Sequence, residues 1–112
     1  NRVDGYVNLT FSLFVRERLD ETFEDDLGSR VRIQAERTPY GLHVRLDGRC
    51  AAPVTVVLRD VPGVRSVTDG ASRELRRDEA PHALRPGGYA ARGHDLYVKT
   101  DACAGEWRIL FA

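Results

Sequence analysis

The stretch RVRIQAERTPYGLHVRLDG, residues 30–48, decides the fold. Apolar side chains occupy every second position on both sides of its centre, at Val31, Ile33, Ala35, Leu42, Val44 and Leu46. A period of two is typical of a strand that turns one face to a core. Between the two runs, Thr38-Pro39-Tyr40-Gly41 consists of residues that favour a tight turn. The stretch therefore predicts a β-hairpin.

Further short strands are predicted beyond this hairpin. Residues 54–58 form a nearly continuous β-branched run, which is typical of a strand buried on both faces. Alternation predicts additional strands over 95–100 and 106–112, and Val64 and Val67 begin a short strand that stops at Asp69-Gly70. Polar residues with two prolines and two glycines predict a long loop over 71–88. Short strands separated by turns indicate a mainly β protein, with the immunoglobulin-like antiparallel β-sandwich as the expected fold.

In the first 28 residues, the apolar residues follow two overlapping periods. Residues 7–15 alternate between apolar and polar, which predicts a strand. Residues 16–27 are rich in helix formers, and Gly28 stands where a helix would end. Four apolar residues here are spaced as on one helix face: Val15, Leu19, Phe23 and Leu27. We expect a strand and a short acidic helix; the alternative is α+β, with one longer helix over 10–27 packed on an antiparallel sheet.

Length and composition indicate one β-rich domain over 1–112, with strand and acidic helix in 1–28 and the sandwich in 29–112. Apolar residues make up 42% of the chain, which argues against intrinsic disorder. No apolar run approaches the roughly 20 residues of a membrane-spanning helix. Acidic and basic residues number 17 each and are interspersed, which argues against a nucleic-acid partner.

Cys50 and Cys103 are the two cysteines of the chain. They are not clustered with other ligand types, so they predict no metal site. Each lies beside a predicted strand end, in RCAAP and DACAG, and strand ends of this kind meet in a sandwich. We favour a disulfide, with two buried thiols or one reactive thiol as the alternatives. A disulfide implies an oxidising compartment, so the expected location is extracytoplasmic or secreted.

Motifs of catalysis and cofactor binding are missing from the sequence. It contains no GxSxG, no P-loop and no GxGxxG. The acid pairs Asp25-Asp26 and Asp78-Glu79 are adjacent in sequence, whereas glycosidases set two carboxylates across a cleft. The three histidines lack the spacing of a metal site: His43, His82 and His94. We therefore expect no catalytic residue, no metal and no cofactor, and a protein that is not an enzyme.

Three tyrosines are the candidate ligand-binding residues. Tyr40 lies in the predicted turn, Tyr89 follows two glycines, and Tyr97 has the parity opposite to its apolar neighbours. Exposed tyrosines near arginine and aspartate are able to stack on sugar rings and hydrogen-bond to them. They are equally suited to anchoring a protein interface. Trp107 shares its parity with the apolar residues of the last strand, which predicts a core position.

The second half of the chain resembles a known kind of domain. The segments VTVVLRDV (54–61), VRSVTDG (64–70) and GGYAARGHDLYVKTDACAGEWRILFA (87–112) follow one another with a polar loop between the last two. This order resembles the C-terminal β-sandwich accessory domains that follow the catalytic barrels of many glycoside hydrolases. The resemblance implies a domain that packs on a catalytic partner or contacts polysaccharide, and it transfers no catalytic residue.

Together these features predict a non-catalytic, extracytoplasmic binding or accessory module associated with carbohydrate. Its expected partner is a polysaccharide or a catalytic domain. One alternative is a pilin-like structural subunit that self-assembles and carries its N-terminal helix on a sheet. The other is a regulatory or inhibitor domain that binds a protein partner.

Overall fold

The computed structural model describes residues 9–24, 28–50 and 53–112, and these form two packed β-sheets. The strands are β1 Leu9–Phe14, β2 Arg18–Glu24, β3 Arg30–Thr38, β4 Gly41–Arg49, β5 Val54–Arg59, β6 Val64–Asp69, β7 Arg76–Arg77, β8 Gly88–Arg92, β9 Asp95–Thr100 and β10 Gly105–Phe111. One 3-10 turn spans Pro81–Ala83. The predicted mainly β sandwich is confirmed. Within the described ranges, no helix is long and apolar enough to cross a membrane.

The first sheet has the strand order β1-β5-β9-β8-β7, and the second sheet has the order β2-β3-β4-β10-β6. Most pairs are antiparallel, but β1 runs parallel to β5 and β7 runs parallel to β8. The chain leaves β1, forms β2, β3 and β4 in the second sheet, and returns to the first sheet as β5. Strands β1 and β5 run in the same direction, and the connection between them consists of three strands of the second sheet.

The predicted hairpin of residues 30–48 forms the middle of the second sheet. Strands β3 and β4 pair from Arg30 with Arg49 to Thr38 with Gly41, which leaves a two-residue connection. The alternating apolar side chains all point into the sandwich and are at most 4% exposed. The hairpin is confirmed because its hydrophobic period and its turn residues require the same register.

The acidic helix predicted over 16–27 is wrong wherever the structure describes it. Residues 18–24 form β2, which pairs antiparallel with β3 along its whole length. Leu19 and Phe23 are four apart, a spacing that places them on one face of a strand as well as of a helix. Hydrogen bonds along β3 and burial of these two side chains outweigh the intrinsic preference of the charged residues for a helix.

The longer helix over 10–27 is also wrong, because residues 9–14 form β1. The predicted strand over 7–15 is present within its described part. Residues 25–27 and the beginning of that predicted strand lie outside the described residues. Both N-terminal strands pair with strands from later in the chain, β1 with β5 and β2 with β3.

The hydrophobic core lies between the two sheets. Its largest fully buried side chains include Ile33, Leu58, Leu96 and Ile109, which come from both sheets. Trp107 is 5% exposed, which confirms its predicted core position. At one side of the sandwich the rings of Phe11 and Phe23 lie 4.9 Å apart, centroid to centroid, and connect the edge strands β1 and β2.

A disulfide joins Cys50 and Cys103, as predicted. Cys50 follows β4 and Cys103 precedes β10, and these two strands are neighbours in the second sheet. The two Cα atoms are 5.7 Å apart and the two positions are separated by 53 residues. The bond therefore ties the ends of two paired strands across a long stretch of chain.

Removing this disulfide by the double substitution Cys50→Ser with Cys103→Ser should lower the free energy of unfolding by about 4 kcal/mol, because the unfolded chain gains loop entropy. Urea denaturation at 25 °C measures the change. The unsubstituted protein with its thiols reduced is the control and should show a similar loss. Equal stability of the oxidised protein and the double variant would contradict a stabilising bond.

Gly48 occupies a point where β3 and β4 approach closely. A Cβ at this position would overlap the main-chain carbonyl of Arg30 and lie 2.7 Å from the Cα of Val31. Since neither backbone atom is able to move without breaking strand pairing, Gly48→Ala should cost about 1–3 kcal/mol of unfolding free energy. Gly63→Ala is the control, because its Cβ would meet only the Cβ of Ala112 at 3.4 Å. Similar losses in both variants would refute this interpretation.

One carboxylate cross-links the loop predicted over 71–88. The side chain of Asp78 is 7% exposed and accepts hydrogen bonds from Arg76 Nε at 2.6 Å and from the main-chain amide of Arg85 at 3.0 Å. The hydrogen bond from Arg76, followed by that from the Arg85 amide, holds the pKa of Asp78 far below its usual range. The loop also contains β7 and the 3-10 turn.

A lowered pKa in the folded state stabilises the protein above the unfolded pKa of about 4, and this stabilisation is lost as the pH falls below that value. Asp78→Asn should therefore lower the free energy of unfolding at pH 7, and its difference from the unsubstituted protein should shrink between about pH 4 and pH 2. Urea denaturation across this range measures both effects.

Asp101→Asn is the matched control for this pH series. Asp101 is exposed, and its side chain forms no hydrogen bond or ion pair within the described part of the chain. We expect this substitution to leave the stability difference near zero at every pH. A loss for Asp78→Asn that does not vary with pH would show that the carboxylate charge is not what holds the loop.

Candidate functional site

The three candidate tyrosines lie in different parts of the fold. Tyr40 is 79% exposed at the tip of the β3–β4 hairpin. Tyr97 is half-buried in β9, on the outer face of the first sheet. Tyr89 is 6% exposed and belongs to the core between the sheets. The structure therefore does not bring the three side chains onto one surface.

The exposure expected of Tyr89 is wrong. Strand β8 pairs Tyr89 with Val98, which points into the sandwich, so Tyr89 has the same inward direction. The guanidinium of Arg77 lies over the ring, 5.9 Å from its centroid, at the edge of the sheet. The two preceding glycines indicated a turn, but strand pairing decides which way the next side chain points.

Tyr97 lies beside a polar strip that crosses three strands of the first sheet. Arg59 donates from Nε to Ser12 Oγ at 2.9 Å and from an Nη atom to Asp95 at 2.6 Å. The hydrogen bond to Asp95 raises the pKa of Arg59, and the nearby phenol of Tyr97 adds to the effect. Phe14, which pairs with Arg59 in the register of β1 and β5, is 64% exposed at the same end. These contacts satisfy donors of Arg59 within the protein.

A groove of about 760 Å³ opens at the end of the sandwich next to Cys103, and we call it the end groove. It is bounded by the second sheet, the first sheet and the connection between β6 and β7. Its lining includes Arg45, Leu46, Asp47, Glu106 and Trp107 from the second sheet, Lys99 and Thr100 from the first, and Asp69, Arg73, Glu74 and Leu75 from or beside the connection. The lining of the groove therefore contains positively charged, negatively charged and apolar side chains.

The connection after β6 forms one wall of the end groove, and Asp69 holds it in shape. One carboxylate oxygen accepts from the main-chain amides of Ala71 at 2.9 Å and Arg73 at 3.0 Å, and the other accepts from Arg73 Nε at 3.0 Å. The Arg73 amide is the main cause of a lowered pKa at Asp69. Ser72 has a φ of 63° at the tip of this turn, and its amide donates to the Asp69 carbonyl at 3.0 Å. The wall is thus internally braced.

Glu106 lies in the second-sheet wall of the groove. Its carboxylate is hydrogen-bonded to the imidazole of His43. The Nη2 atom of Arg108 lies 3.8 Å from the Oε2 atom of Glu106. The hydrogen bond with His43 is the largest cause of a lowered pKa at Glu106, and the charge of Arg45 contributes a smaller part. Arg45 stands directly opposite Glu106 in the β4–β10 register, so an acceptor and a donor lie side by side.

Arg45 and Lys99 border the groove from opposite sheets. By strand parity the side chain of Arg45 lies on the outer face of the second sheet and that of Lys99 on the outer face of the first. Among residues 9–24, 28–50 and 53–112, neither side chain takes part in a hydrogen bond or a close ion pair, although the charge of Arg45 acts on Glu106. Their donors are therefore open to a ligand, in contrast to those of Arg59. The described residues contain no group of three or more histidine, cysteine or acidic side chains suited to a metal ion.

The sequence did not single out the residues of the end groove. In the sequence, Asp69 lies at the end of a predicted strand, and Arg45 and Glu106 each occupy an ordinary polar position in an alternating run. The proximity of these two side chains depends on the pairing of β4 with β10, which places Arg45 opposite Glu106. No local sequence signal marks that pairing.

Comparison with known proteins places this fold within larger enzymes. No protein-family model and no curated protein matches the sequence. A solved structure of the α-1,4-glucan lyase of Gracilariopsis lemaneiformis matches 89% of this chain with a TM-score of 0.68 and 16% identity. The GH31 dextranase of Flavobacterium johnsoniae, solved with isomaltotriose, matches 90% of this chain with a TM-score of 0.72 and 13% identity.

The chain spans 13% of the lyase chain and 16% of the dextranase chain. At these identities the likeness establishes a shared β-sandwich fold. In both enzymes, the part that resembles this protein is a small fraction of the whole chain.

Proposed function

We propose that this protein is a non-catalytic accessory module of a larger carbohydrate-active enzyme and that it binds carbohydrate. The observation that carries the proposal is the share of this chain and of each enzyme chain that the structural match covers. About nine-tenths of this chain matches a part of each enzyme, and that part is less than one-fifth of the enzyme's length. A domain of this relative size fits an accessory role beside a separate catalytic domain.

The carboxylates of the end groove support the non-catalytic part of the proposal. A general acid in a glycosidase needs a raised pKa, so that it carries a proton near neutral pH. The pKa values of Asp69 and Glu106 are shifted in the opposite direction, by hydrogen bonds from Arg73 and His43. These two groups are suited to accepting hydrogen bonds as anions.

The disulfide between Cys50 and Cys103 supports an extracytoplasmic or secreted location. Disulfides persist in oxidising compartments and are rare where thiols are kept reduced. A polysaccharide outside the cytoplasm would be accessible to a module in this location.

A protein partner is the second candidate, and an exposed apolar patch favours it. Tyr40 is 79% exposed and Leu110 is 49% exposed, and Leu110 pairs with Gly41, the neighbour of Tyr40. In an accessory module this patch suits a contact with the catalytic domain. The pilin-like alternative loses the feature on which it depended, because β1 and β2 stand where its helix was expected.

Affinity electrophoresis tests carbohydrate binding by the whole chain. Native gels containing dextran or soluble starch should retard the protein more strongly as the polysaccharide concentration rises, while a non-binding reference protein keeps its mobility. Gels with xylan and a soluble cellulose derivative define the range of glycans recognised. Unchanged mobility in every polysaccharide would overturn the binding role and favour a protein partner.

A further inference from the structure

We infer that the end groove is the carbohydrate site and that its ligand is a short, neutral oligosaccharide. This inference rests on the proposed function and locates the proposed carbohydrate binding in the fold. The lining of the end groove includes none of the three tyrosines that the sequence predicted as ligand-binding residues.

The dimensions of the groove fit a small ligand. Its volume of about 760 Å³ lies within the range of roughly 300–1,000 Å³ that is usual for ligand pockets. Two other grooves, on the outer face of the second sheet, measure about 330 and 270 Å³, and Arg45 borders the larger of them as well. The end groove differs from both in receiving residues from the two sheets.

Two walls of the groove are held in place before any ligand arrives. Asp69 braces the connection after β6 through two main-chain amides and Arg73. The disulfide fixes Cys103 immediately before Ala104, which lines the opposite side. A site that is already ordered loses less conformational entropy on binding.

The charged groups of the groove favour a neutral ligand with many hydroxyls. On the second-sheet side of the groove, Arg45 is a donor that makes no hydrogen bond to the described residues, and Asp47 and Glu106 are acceptors in the same lining. A sugar hydroxyl both donates and accepts, so it is able to use both kinds of group. An anionic ligand would meet the carboxylates of the lining, and a cationic ligand would meet its basic side chains.

The apolar part of the lining suits the carbon–hydrogen face of a sugar ring. Trp107, Leu46 and Leu75 supply this surface. Trp107 is only 5% exposed, and a Cβ on Gly105 would lie 3.0 Å from its Cζ2 atom. A small part of the ring therefore faces the groove, and hydrogen bonds must contribute more to recognition than stacking.

The polar strip beside Tyr97 is the rival surface. There the guanidinium of Arg59 already donates to Ser12 and Asp95. A ligand on this face would have to compete with those contacts, whereas Arg45 and Lys99 have no hydrogen bond to lose within the described residues. This difference favours the end groove.

Nuclear magnetic resonance of the ¹⁵N-labelled chain tests the location directly. Titration with isomaltotriose and, separately, maltotriose should shift the amides of residues 69–75 and 104–107. Trp107 is the one tryptophan of the chain, so its indole N–H gives a single reporter inside the groove. Signals of Ser12 and Tyr97 should stay in place.

Matched variants complete the experiment. Arg45→Gln should weaken binding about tenfold, since it removes a charged hydrogen-bond donor from the groove. Arg65→Gln, at an exposed position of β6 outside the groove lining, should leave affinity unchanged. The dispersion of the amide spectrum verifies that both variants are folded.

Binding that shifts Ser12 and Tyr97 instead of the groove, or that is equally strong in Arg45→Gln, would overturn the inference and leave the proposed function standing. Tighter binding of an anionic oligosaccharide would overturn the neutral class of ligand. Absence of binding to every oligosaccharide and polysaccharide would overturn the inference together with the binding role.

Discussion

The pairing of β4 with both of its neighbours is the constraint on which the rest of the structure depends. Strand β4 pairs with β3 along all nine of its residues and with β10 from Gly41 to Leu46. Its inward side chains reach the centre of the core, and the disulfide follows its last residue. Because Arg45 stands opposite Glu106 in the same pairing, the register that builds the core also builds one wall of the end groove.

The polar side chains of this domain fall into two groups that differ in their contacts. Asp78 and Asp69 are engaged by arginines and main-chain amides. Asp69 fixes the connection between β6 and β7, which joins the two sheets, and Asp78 fixes the connection between β7 and β8 within the first sheet. Arg45 and Lys99 form no such hydrogen bond among the described residues, and they border the end groove from opposite sheets.

The N-terminal region shows why local patterns predicted part of the fold incorrectly. Leu19 and Phe23 are compatible with a helix and with a strand, and the charged residues around them favour a helix in isolation. Pairing with β3 and contact between Phe23 and Phe11 decide for the strand. Tyr89 is a similar case, because its direction is set by its partner Val98 rather than by the glycines before it.

By itself, the sequence determined the hairpin of residues 30–48, the β-sandwich class and the core position of Trp107, and it favoured a disulfide between the two cysteines. These features follow from short-range alternation, turn residues and the presence of just two thiols. Only the tertiary structure decided that residues 18–24 form an edge strand, that Tyr89 is buried, and that Arg45, Glu106 and Lys99 share a groove. Such contacts join residues far apart in the chain, and their geometry depends on strand order and register, which no local pattern specifies.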